Sequence, residues 1–211
     1  MAGRSRNGRA PGKLAQAGGG GDPGRRAAVL EAAAKVFGTR GFSNATVRQI
    51  GDEAGILSGS LYYHFESKDA MLEEILVVAL DELILRYGSV ARSVDDPVEC
   101  LRSLIVAAVE WILRNPHPST ILQNDFGYIR QSEKLSWVND KYLEVRQIWL
   151  DVFRRGVECG SLNSEVDVEL AYLTIYGSLL STIRWHDEVS RYSRTELAHR
   201  QADLFLAGLV A

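Results

Sequence analysis

The sequence predicts an all-α protein of about nine helices, in which an N-terminal three-helix unit built around a helix-turn-helix precedes a larger helical domain. Three observations predict it. Apolar residues recur at a helical period through most of the chain, and no segment alternates as a half-buried strand would. Capping residues open the periodic runs. Residues 46–68, TVRQIGDEAGILSGSLYYHFESK, space glycines, apolar positions and hydroxyls as two short crossing helices require.

The chain opens with residues 1–24, which hold MAGRSRNGRAPGK and a run of four glycines before Asp22-Pro23-Gly24. Such a composition buries no apolar surface, so a disordered tail is expected. Two roles stay open for it: a basic arm reaching phosphates or a minor groove, or a flexible extension whose charge acts non-specifically. It is not a phosphate-binding loop, because Asp-Pro follows the glycines where Gly-Lys-Ser/Thr would be needed.

Within 46–68, Thr46 caps the first short helix and Gln49 completes a capping box. Gly51 lets the two helices cross closely, Gly55 supplies a positive φ at the helix end, and Ile56 and Leu61 fill the corner. Ser58 is placed to cap a second helix over 58–65, in which Leu61 and Phe65 share the buried face. Gly59, Ser60, Tyr62, Tyr63 and His64 are left to face outward, a set of hydroxyls and rings suited to phosphates and base edges. An αα-hairpin with an ordinary amphipathic surface is the alternative that spacing alone leaves open.

The remaining helices follow from their caps. Ser67 starts a long helix whose apolar Met71, Ile75, Leu76, Leu80, Leu83 and Ile84 run on to about Ala91. Asp96-Pro97-Val98-Glu99 starts the next, which stops near Asn115-Pro116-His117-Pro118. A shorter helix is expected over 119–128, then one over 132–159 carrying Leu135, Val138, Tyr142, Val145, Trp149, Val152 and Phe153. Helices over 167–185 and 193–209 end the chain, the latter opening on a Ser193-x-x-Glu196 capping box. The 167–185 helix has one face of Tyr172, Ile175, Tyr176, Leu179 and Ile183 and another of Ala171, Thr174, Ser178, Ser181 and Thr182. With the last helix it is the best candidate for a two-fold four-helix dimer interface.

Charge looks unfavourable for a nucleic-acid partner until it is divided. The 211 residues carry a net −3, but 1–76 hold 10 Lys/Arg against 8 Asp/Glu and 77–211 hold 14 against 19. Binding to DNA would therefore rest on hydroxyl, backbone and helix-terminus contacts plus a few cations, with a moderate salt dependence.

The residues of 29–37, Gly41, 46–50, Ala54, Gly55, Leu61-Tyr62-Tyr63-His64-Phe65 and Lys68 together resemble the N-terminal domain of the TetR family of bacterial transcriptional regulators, over roughly 25–76. The resemblance implies a DNA-binding domain over 25–70 and a ligand-binding and dimerisation domain over 71–211. It places base and phosphate contacts on Ser58, Gly59, Ser60, Tyr62, Tyr63, His64 and Lys68, with Thr46 and Arg48 on the preceding helix. Gly51 stands where the family usually has Ala, and Leu57 where it often has a polar residue. The resemblance also implies a C-terminal effector pocket whose occupation moves the fourth helix and so the spacing of two reading heads. Gly156-Val157-Glu158-Cys159-Gly160 and Arg184-Trp185-His186 are similar to members that control lipid or steroid breakdown and sense CoA thioesters.

Ligand cavities are mostly apolar with a few placed polar groups, which selects Trp111, Gln123, Asn124, Phe126, Trp149, Tyr176 and Arg184 as candidates. Arg184 paired with Asp187 or Glu188, and Gln123, Asn124 and Asp125 on a solvated face, are the structural alternatives.

Other classes fare poorly. His64, His117, His186 and His199 lack metal-ligand spacing, Gly59-Ser60-Leu61 is not a nucleophile elbow, and Cys100 and Cys159 match no zinc or redox motif. No metal or cofactor is expected, and an enzyme is disfavoured. With no apolar segment of membrane-spanning length and no signal sequence, the expectation is a cytoplasmic homodimer. Its partners would be a palindromic operator in double-stranded DNA and a small, largely hydrophobic effector, with an acyl-CoA or another lipid-derived metabolite among the candidates. A repressor is the first reading. A constitutive DNA-binding protein without an effector, or an activator, is the alternative.

Overall fold

A computed structural model describes residues 23–210. The chain forms helices α1 (Pro23–Arg40), α2 (Val47–Ala54), α3 (Ser58–Leu61), α4 (Lys68–Ser93), α5 (Pro97–Arg114) and α6 (Pro116–Asn124), followed by α7 (Phe126–Gln131), α8 (Trp137–Glu158), α9 (Val168–Trp185) and α10 (Arg194–Leu206). Short 3₁₀ turns occupy Glu133–Leu135 and His186–Val189. The expected tail over 1–24 lies outside the described residues except for Pro23 and Gly24, which already belong to α1.

The first three helices close over Val29, Ala33, Phe37, Phe42, Ile50, Leu61 and Phe65, all buried. Phe37 meets Phe42 edge to face at 5.1 Å between ring centroids. Thr46 and Gln49 form the expected capping box, and Gly55 ends α2 at φ 66° with its N–H on the Asp52 and Gly51 carbonyls. A Cβ on Gly51 would stand 2.9 Å from the Ile56 carbonyl oxygen, so the α2–α3 crossing is closed against even one added methyl.

Two details at α3 differ from expectation. Ser58 is the first helical residue and does not cap, the N-cap position being Leu57, whose side chain makes no capping bond. The helix also stops at Leu61 and continues as turns, with His64 N–H on Leu61 O at 2.9 Å and Phe65 N–H on the same oxygen at 3.0 Å. Phe65 is thereby still delivered to the core.

Helix α4 joins the two halves of the molecule. Ser67 caps it through the Ala70 N–H at 3.1 Å, and Met71, Leu72, Ile75 and Leu76 are buried at its start and Ala79, Leu80, Leu83 and Tyr87 further on. Helix α5 is central, with Cys100, Leu101, Leu104, Ile105, Ala108 and Val109 excluded from solvent and α4, α8, α9 and α10 packed around it. One continuous apolar cluster runs from Val29 to Leu209, so the helix-turn-helix unit shares its core with the larger domain.

The segment expected as one helix over 119–128 is two. Pro116 opens α6, as a proline at the first turn can, and Asp125 interrupts the path at φ −98°, ψ 12° before α7 begins. The start of the expected 132–159 helix is a 3₁₀ turn, and α8 proper begins at Trp137. Helix α9 is capped by Asp167, which accepts the Glu169 and Leu170 N–H groups; α10 is capped by Ser193 and ends three residues before the expected Leu209.

Candidate DNA-reading surface and effector cleft

The outward set on and after α3 is exposed as its spacing requires. Tyr62 and Tyr63 are 61% and 89% exposed and Gly59 is open to solvent, while Ser58, Ser60 and His64 are half-buried. Thr46 and Arg48, at the start of α2, are also exposed; the Thr46 hydroxyl is engaged by Gln49 N–H at 3.3 Å.

Lys68 is placed differently from a free phosphate-seeking cation. Its Nζ donates to Phe42 O at 2.7 Å and Ala45 O at 3.0 Å, and sits 4.3 Å from the centroid of the Phe42 ring. The ammonium therefore ties the start of α4 to the corner between α1 and α2. A second staple, which no local sequence signal marks, joins α1 to α4: Arg26 grips the Glu74 carboxylate with both terminal nitrogens while covering the Phe65 ring at 4.4 Å.

A cleft of about 390 Å³ opens between α6, α7, α8 and α9. Gln123, Phe126 and Tyr176 line it, together with Leu122, Tyr142, Leu143, Arg146, Tyr172, Leu173, Gly177 and Leu180. Trp149 stands behind the wall, fully buried, with Tyr87, Tyr172 and Tyr176 around it at 5.7, 6.3 and 5.9 Å. Four of the expected ligand residues do not line the cleft, the buried Trp149 among them. Trp111 lies on α5 with its ring buried in the core, Asn124 is exposed beside the inward-facing Gln123, and Arg184 is exposed near the end of α9.

The cleft is apolar with few polar groups. Gln123 Oε1 is buried with no hydrogen-bond partner, a cost that a ligand donor would relieve. Arg146 is held by Glu169. Burial pushes the Tyr172 hydroxyl up to about 12 and those of Tyr142 and Tyr176 upward as well, so all three are neutral donors at physiological pH.

The cleft wall continues into the helix-turn-helix corner. Asp125, between lining residues Gln123 and Phe126, accepts the Phe42 N–H through both carboxylate oxygens at 3.1 Å. Tyr128 donates its hydroxyl to Asp69 on α4 and packs its ring 4.7 Å from that of Phe42. In the sequence, Asp125 is visible only as one polar residue beside Ile121, Leu122 and Phe126; nothing local says that it reaches 83 positions back.

Comparison with known proteins decides the family. Residues 29–75 match the profile described as "Bacterial regulatory proteins, tetR family", and residues 94–209 match "Tetracyclin repressor-like, C-terminal domain". The transcriptional repressor KstR2 of Rhodococcus jostii is 34% identical over 90% of this chain and 94% of its own length.

The chain belongs to the TetR family.

The solved ketosteroid transcriptional regulator KstR2 of Mycobacterium tuberculosis superposes with a TM-score of 0.83 at 33% identity, over 91% of this chain and 98% of that one. The TetR-family regulator PfmR of Thermus thermophilus gives 0.73 at 31% identity, over 87% and 99%. These relatives are transcriptional regulators, and among the described residues no helix is long and apolar enough to cross a membrane.

Proposed function

We propose that this TetR-family protein is a homodimeric, cytoplasmic repressor, released from a palindromic operator when a largely apolar, steroid- or lipid-derived metabolite enters the cleft between α6, α7, α8 and α9. The observation that carries the reading is the Asp125 bond to Phe42, because it joins the ligand-facing wall to the corner that positions α2 and α3. The unit over 25–70 reads DNA through Thr46, Arg48, Ser58, Gly59, Ser60, Tyr62, Tyr63 and His64, while Lys68 holds the frame and adds positive potential. The unit over 71–211 senses and dimerises. A single short α3 meets few base pairs, so two-fold repetition is needed for useful selectivity.

The dimer face is the outer side of α9 and α10. Leu170 and Thr174 are exposed along α9, and Leu204 is 73% exposed on α10, a large apolar side chain with no cover within one chain. The steroid reading is supported by the ketosteroid regulator of M. tuberculosis, by the flat walls that Phe126, Tyr142 and Tyr176 supply, and by the unpaired Gln123 carbonyl that a ligand hydroxyl or N–H would satisfy.

The test is to select operator duplexes from random DNA with the purified full chain, then to titrate the complex with ketosteroid acids, fatty acids and their CoA thioesters. One class should weaken operator binding at least about tenfold, which needs about 1.4 kcal/mol of differential affinity. Selective DNA binding with no release and no thermal stabilisation by any class would instead identify a regulator without an effector.

A further inference from the structure

We propose that Leu57 reads DNA sequence by seating its isobutyl group on the C5-methyl of a thymine in each operator half-site. The proposal rests on the reading of the α3 region as the major-groove element.

Three observations converge on this residue. Leu57 is 81% exposed, the most exposed leucine among the described residues, and it adjoins the hydroxyl-bearing set rather than an apolar patch. Its backbone is held from both sides, by Ile56 N–H on Gly51 O at 2.9 Å and by its own carbonyl accepting Ser60 N–H at 2.8 Å, so the side chain is presented outward from a rigid turn. Gly59, two residues on, is exposed within α3, and a Cβ there would meet no heavy atom within 4 Å. A glycine in a helix costs about 1 kcal/mol relative to alanine. Packing within the chain gives no return for that cost, whereas a smooth backbone lets another surface come close.

The chemistry of the groove then selects the target. In the major groove every base pair presents donors and acceptors, and the thymine methyl is the apolar group available to an aliphatic side chain. A leucine cannot hydrogen-bond to a base edge, and placing it over one desolvates groups it cannot satisfy. Its favourable position is over a methyl, with Ser58, Ser60 and the tyrosines supplying the polar contacts around it.

The test uses the full chain and an operator selected from random duplexes. Each thymine of the half-site is replaced in turn by deoxyuridine, which removes only the methyl. One position should lose about fourfold in affinity when changed in one half-site and about fifteenfold when changed in both, as burial of a single methyl implies. Leu57→Ala should bind the thymine and uracil operators equally, with an unchanged thermal midpoint. A flat uracil scan with the wild-type protein, or undiminished thymine preference in Leu57→Ala, overturns the assignment while leaving DNA reading intact. Failure to recover any selective duplex overturns the DNA-reading function and this inference with it.

Discussion

Asp125 and Phe42 meet across 83 positions of sequence: both oxygens of the carboxylate accept one backbone N–H, at 3.1 Å each. One partner stands between two residues of the cleft wall and the other in the corner that precedes α2, which makes this bond a direct link between the cleft wall and the helix-turn-helix corner. Asp125→Ala leaves the half-buried Phe42 N–H unpaired and should cost about 1–3 kcal/mol of stability. Thermal unfolding measures the loss, and a midpoint equal to that of the wild type contradicts the role.

Burial raises the Asp125 pKa above 3.8, against the lowering effects of the Phe42 N–H and Lys68. The folded state therefore holds this proton more tightly than the unfolded one. Its contribution is most favourable below the unfolded value and is lost as pH rises through the folded one. The stability difference between Asp125→Asn and wild type should accordingly shift in favour of the variant as pH rises through that window. Paired urea titrations from about pH 3.5 to about pH 7 measure it, and a pH-independent difference refutes the burial account.

Lys68→Met removes two charge-assisted bonds to backbone carbonyls and a cation–π contact. The expected loss is about 1.5–3 kcal/mol of stability, with operator affinity falling because the corner loosens. A residue acting solely on phosphate would leave the melting point unchanged and reduce the salt slope of operator binding by about one. Differential scanning calorimetry and salt titrations separate the two.

Tyr62→Phe removes a hydroxyl from a side chain that is largely exposed. Stability should be unaffected and operator affinity should drop about threefold to tenfold, the value of one hydrogen bond. Because the group is neutral, the salt slope should be unchanged, and fluorescence anisotropy at several salt concentrations reads both quantities.

Gly51→Ala sets a helix-favouring methyl against a carbonyl oxygen 2.9 Å from its Cβ. The propensity gain of about 1 kcal/mol should be outweighed by the backbone shift, for a net loss of stability of about 1–2 kcal/mol. A rise in melting temperature would show that the α2–α3 turn relaxes freely.

Caps and turn glycines make most of the fold legible in the sequence: Thr46, Gln49, Gly55, Ser67, Asp96, Asp167 and Ser193 each act where their chemistry places them. Local signals carry no information about which way a side chain faces a distant helix. Trp111 and Arg184 are credible pocket residues by type, but one fills the core and the other faces solvent. Gln123, Phe126 and Tyr176 have the same local character and do line the cleft. Lys68 is recognisable by its position, but its engagement with Phe42 O and Ala45 O depends on how α4 crosses the α1–α2 corner. Asp125, where the expected helix divides, makes a tertiary bond to Phe42 that no local signal announces.

If cleft and operator communicate through Asp125, removing its carboxylate should uncouple them. Operator affinity should be measured for wild type and Asp125→Ala, with and without a saturating compound drawn from the ketosteroid acids, fatty acids and CoA thioesters, under conditions where both proteins are folded and bind that compound. The expected result is at least about tenfold release in the wild type and less than about twofold in the variant. Equal release in both would contradict the coupling.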